Sequence, residues 1–116
     1  MSSHVAAWRK VVEQVVRAIA NEDLQRRAWF GAGPEEDSPD EMLNQFFGDA
    51  AIEEFLVSKD NGLDNLQSQL GMNLLKLMKE LSKQTPQHIE PSDLIDDPRW
   101  RKIREAAAQF SAVLSN

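Results

Sequence analysis

The sequence predicts an all-α protein, an irregular bundle of four longer helices plus one or two short helices forming a single helical domain over residues 1–116. Three observations carry that expectation. Apolar residues recur at alternating three- and four-residue steps over several long stretches. Ser-Pro and Asp-Pro pairs stand where such stretches begin, and proline suits the first helical position. No run alternates apolar and polar residues between hairpin turns. The length and a 41% hydrophobic content suit one modest core.

The elements follow in order. Val5, Trp8, Val12, Val15 and Ile19 mark the inner face of a helix over roughly residues 4–20, with Arg9, Lys10, Glu13, Gln14 and Arg17 outward. Asn21 or Asp23 can cap a short helix through Phe30, which Gly31-Ala32-Gly33-Pro34 then breaks; Trp29 and Phe30 are expected to enter the core from its end. Ser38-Pro39-Asp40-Glu41 supplies a capping hydroxyl, an N1 proline, early acids and a glutamate at the capping-box position. Met42, Leu43, Phe46 and Phe47 follow it. After Gly48, Asp49 can cap a helix that buries Ile52, Phe55 and Leu56.

Lys59-Asp60-Asn61-Gly62 reads as a turn. From Leu63 the series Leu66, Leu70, Leu74, Leu77 and Leu81 describes the longest helix, expected to be central. Thr85-Pro86 ends it, and Pro91 to Ile95 leaves room for one helical turn. Asp97-Pro98 then opens a last helix with Trp100, Ile103, Ala107, Phe110 and Leu114 inward.

Composition excludes several classes. Without cysteine there is no disulfide, thiolate zinc site or cysteine nucleophile. No apolar run approaches the ~20 residues that span a bilayer, and the first residues lack the basic and apolar regions of a secretory signal, so a soluble cytoplasmic protein is expected. His4 and His88 are the only histidines, and neither stands in a recognisable catalytic or metal motif. His88-Ile89-Glu90 begins like a zinc-deaminase signature but lacks the later cysteines. In Asp60-Asn61-Gly62-Leu63-Asp64 glycine occupies the third position rather than the sixth that a calcium loop needs. Glu53-Glu54 neighbours diverge on a helix, and Gly31-Ala32-Gly33 runs into proline and acids that repel phosphate. The expectation is a protein without catalytic residues, metal or cofactor.

Charge is the one asymmetric feature. Residues 35–64 hold ten acidic residues against Lys59 alone, while the whole chain carries −6. Such a field selects a basic partner and speeds its arrival. The expected partner-binding residues are Glu35, Glu36, Asp37, Asp40, Glu41, Glu53 and Glu54, with Trp29 beside the glycine-rich break as an aromatic anchor. The competing reading is a solvated acidic surface that maintains solubility. Trp8 and Trp100 fit a core at helical spacing. Arg99, Arg101, Lys102 and Arg104 surround Trp100, yet Asp93, Asp96, Asp97 and Glu105 dilute them, so direct nucleic-acid binding is not expected. The Leu63–Leu81 stripe admits a homodimer interface, although a core role is the simpler reading.

The order of Arg27-Ala28-Trp29-Phe30, an acidic loop, Ser38-Pro39-Asp40-Glu41 and Phe46-Phe47-Gly48-Asp49 resembles small helical immunity proteins of bacterial contact-dependent inhibition systems, over residues 26–81. That resemblance implies a non-enzymatic antidote that masks a cognate toxin, often a nuclease with a basic active surface. It assigns no binding residue, so the acidic candidates rest on charge. The alternative is a helical adaptor or homo-oligomeric regulator that binds through an apolar groove.

Overall fold

The computed structural model describes residues 3–31, 37–85 and 88–115. Among these the chain is all-α: α1 (Ser3–Ala20), α2 (Glu22–Trp29), α3 (Pro39–Asn44) continued by a π-helical turn (Gln45–Asp49), α4 (Ile52–Val57), α5 (Asn65–Gln84), α6 (Pro91–Leu94) and α7 (Pro98–Leu114). The longer runs of helix are α1, α3 with its π-helical continuation, α5 and α7, and α2, α4 and α6 are the shorter pieces among the described residues.

Local chemistry sets most boundaries. Asn21 caps α2 by accepting the Leu24 N–H, and Ser38 caps α3 by accepting the Glu41 N–H. The expected reciprocal half of that second cap is replaced: the Ser38 N–H donates to the Asp37 carboxylate, 2.8 Å away. A complete capping box stands instead at α5, where Asp64 accepts from the Gln67 N–H and the Gln67 side chain accepts from the Asp64 N–H. Asp97 accepts the Arg99 N–H at the start of α7.

Packing makes α7 the central helix rather than α5. Both α1 and α5 pack chiefly on α7, whose Trp100, Ala107 and Phe110 are fully buried. At the crossing of α5 and α7 the chain needs a residue without a side chain. A Cβ on Gly71 would lie 2.6 Å from Leu56 Cδ2 and 2.9 Å from Phe110 Cζ. From α5 itself Leu74, Leu75, Met78 and Leu81 reach the core, whereas Leu66 stays exposed.

The α3–α4 connection departs from the expected form. Asp49 caps nothing, and Ala51, in left-handed conformation (φ 44°), is the N-cap residue of α4. A non-glycine residue holds that conformation only where its surroundings enforce it. Here the Ala50 N–H bonds the Gln45 carbonyl at 2.8 Å, and the Ala50 carbonyl accepts the Trp8 indole N–H at 2.7 Å. Trp8 also meets Phe55 edge-on, with ring centroids 5.3 Å apart. Thus α1 clamps the kink from outside, with Trp8 half-buried rather than enclosed.

Candidate functional site

The segment from α3 to α4 runs antiparallel to α5. Leu56 lies nearest Gly71, Glu53 pairs with Lys79, Phe47 shares a hollow with Ser82 and Lys83, and Asp40 and Leu43 share another with Thr85 and Ile89. The two strands of helix do not close fully on each other, which leaves a groove along α5. Its successive hollows share lining residues, from one of about 260 Å³ at Asp40 and Thr85 to one of about 590 Å³ at Met72 and Lys76.

Met42, Phe46, Ile52 and Phe55 anchor the outer wall in the core, all fully buried. Leu43 and Phe47 sit one position further round and are half-buried against the groove. Phe46 and Phe47 meet edge-on with centroids 5.1 Å apart, so the aromatic pair links the core to the groove. The inner wall is α5, carrying Met72, Lys76, Lys79 and Lys83.

The candidate acids fall into distinct roles. Glu35 and Glu36 lie outside the described residues. Asp40 is a structural acceptor: one oxygen takes the Ile89 N–H at 3.1 Å and the other meets His88 Nδ1 at 2.8 Å. Glu53 is engaged by Lys79. Asp37 is half-buried, and burial raises its carboxyl pKa, opposed by the Ser38 N–H and reinforced by nearby Glu41. Glu41 and Glu54 are exposed, as is Asp49, and none of the three forms an ion pair among the described residues.

Trp29 is not available as a surface anchor. It is only 7% exposed and packs against Trp100, with ring centroids 5.7 Å apart. Its ring extends the core at the end of α2, and its Nε1 has no hydrogen-bond partner among the described residues. Phe30, expected to enter the core with it, is half exposed.

His88 closes one end of the groove. Its Nδ1 lies 2.8 Å from Asp40 and its Nε2 3.0 Å from Glu90. Ionised carboxylates only accept hydrogen bonds, so this geometry favours the imidazolium, in which both ring nitrogens donate. Its pKa is accordingly raised, first by Asp40 and then by Glu90. The basic cluster on α7 is divided. Arg99 forks onto Asp97, while buried Arg104 donates to the Ile95 carbonyl and meets Glu22. Arg101 and Lys102 remain exposed.

Among the described residues no group of three or more potential ligands could hold a metal ion, and no helix is long and apolar enough to cross a membrane. The sequence offered an apolar groove only as an alternative and did not place one, since these walls are distant in the chain. The signal available was the apolar pair Leu43 and Phe47, offset by one residue from Met42 and Phe46. No family model matches the chain, and neither a curated protein nor a solved structure matches it.

Proposed function

We propose that this chain is a non-enzymatic, cytoplasmic protein-binding module, an immunity or inhibitor protein that covers a basic surface of a toxin such as a nuclease and binds no nucleic acid itself. One observation carries the reading: Glu41, Asp49 and Glu54 are exposed and form no ion pair among the described residues along the α3–α4 segment, whose backbone is anchored by buried Met42, Phe46, Ile52 and Phe55. Carboxylates held on a fixed backbone lose little freedom when a Lys or Arg meets them. Asp40 and Glu53 support the same surface indirectly, because their pairs with His88 and Lys79 tie it to the rest of the fold. The resemblance of residues 26–81 to immunity proteins points the same way.

The test is affinity capture of the tagged protein from lysate of its source organism, washed at low and at roughly 0.5 M salt. Wild type should retain a basic partner that high salt removes. The combined Glu41→Lys, Asp49→Lys and Glu54→Lys variant should lose it while keeping its helical circular dichroism. Undiminished capture by the folded variant overturns the reading.

A further inference from the structure

Asn61-Gly62 is the one place in the chain where glycine follows asparagine, and the fold makes use of both residues. The Asn61 side chain, 8% exposed, donates from Nδ2 to the carbonyls of Phe55 at 3.0 Å and Leu56 at 3.2 Å, and its Oδ1 accepts the Leu63 N–H at 2.9 Å. It thereby closes the C-terminal end of α4, where the Ser58 N–H also reaches the Phe55 carbonyl, and ties that end to the approach to α5. Aspartate, of the same shape, has no proton to give. Gly62 stands at φ 74°, the left-handed region that favours glycine.

The same dipeptide is chemically fragile. Glycine carries no side chain to hinder its own nitrogen from attacking the preceding side-chain amide. The Gly62 nitrogen, losing its proton to solvent base, bonds to Asn61 Cγ; the Cγ–Nδ2 bond breaks and ammonia leaves, giving a cyclic succinimide. Water then opens one or other carbonyl of the ring, leaving aspartate or isoaspartate.

We propose that Asn61 is a deamidation site that the fold holds closed, and that its conversion irreversibly unties α4 from α5. Attack makes the planar Cγ tetrahedral and moves its nitrogen and oxygen out of the plane in which they are bonded. The hydrogen bonds of the Asn61 side chain therefore stabilise the reactant more than the transition state and slow the step. Local opening of the turn removes that protection. The product cannot restore the closed form, because a carboxylate at this position has no proton for the Phe55 and Leu56 carbonyls and turns a buried charge toward them. Isoaspartate adds a backbone carbon as well. Leu56, whose carbonyl Asn61 holds, lies against Gly71 of α5, so the contact between the two helices loosens with it. This inference is independent of any partner.

Peptide mapping by mass spectrometry tests it, on the full chain held at neutral pH either folded in buffer or unfolded in guanidinium chloride. In the unfolded chain residue 61 should convert ahead of Asn21, Asn44, Asn65 and Asn73, each followed by a larger residue. In the folded chain it should convert at least about tenfold more slowly, as expected when about two buried hydrogen bonds are lost in the transition state. The Asn61→Asp variant reproduces one product and should unfold at a lower urea concentration than wild type, or fail to fold. Equal rates in the folded and unfolded chain overturn the proposal. So does another asparagine converting first in the unfolded chain, or an Asn61→Asp variant as resistant to urea as wild type.

Discussion

Trp100 donates its indole N–H to the side-chain oxygen of Gln25, 2.9 Å away, with both residues fully buried. The Gln25 amide nitrogen in turn donates to the carbonyls of Ile19 at 2.8 Å and Ala18 at 3.0 Å. One side chain therefore serves the carbonyls at the end of α1, of which Ala18 also accepts the Asn21 N–H, and the polar edge of the largest core residue. It also fixes α2 between α1 and α7. A buried polar group this fully bonded costs little to keep and much to disturb.

Gln25→Leu should accordingly cost about 3 kcal/mol of stability, since it strips the buried indole N–H and the Ile19 carbonyl of the Gln25 side chain, while the Ala18 carbonyl keeps the Asn21 N–H. Urea unfolding measures this directly. Adding Trp100→Phe to that variant should cost less than the same change in wild type, because the stranded donor is already lost to the fold. Additive effects of the two substitutions would show that the bond is energetically idle.

Gly71→Ala is expected to destabilise by about 1 kcal/mol, although alanine is the better helix former by roughly that amount. The added methyl meets Leu56 and the buried ring of Phe110 at under 3 Å. Half-buried Leu56 can yield, but the ring of Phe110 is fully buried in the core. A stabilised variant in thermal unfolding would mean that α5 and α7 can separate without loss.

His88 should titrate above its ordinary value of about 6.5, and Asp40→Asn should bring it down, as read from its ring proton shifts by NMR. Its cation is favoured in the folded state, first by Asp40 and then by Glu90. A raised folded pKa gives stability that is complete below the unfolded value and lost as pH rises through the folded one. The stability difference between wild type and His88→Gln should therefore be present near pH 6 and vanish in the alkaline range. A ring that titrates at or below 6.5 would contradict the two-carboxylate clamp.

Helix positions were legible in the sequence where the signal is local. Asn21, Ser38-Pro39 and Asp97-Pro98 cap or begin helices as expected, because a cap is an interaction across two or three residues. The inward faces of α1 and α7 followed from periodicity alone. The kink at Ala50 and Ala51 was not legible, since Trp8 holds it from 42 residues away. Nor was the fate of the acids: Asp40 and Glu53 read as free charges until the fold brought His88 and Lys79 to them.

By itself the sequence determined the all-α class, most helix limits and the concentration of negative charge in residues 35–64. Spacing of apolar residues, proline geometry and side-chain ionisation fix these within a turn or two of chain. Tertiary structure decided that α7 rather than α5 lies at the centre, that Trp29 belongs to the core, and that Glu53 meets Lys79 and Asp40 meets His88. Each of those depends on which surfaces of distant helices exclude water together, and helical periodicity names a buried face without naming what covers it.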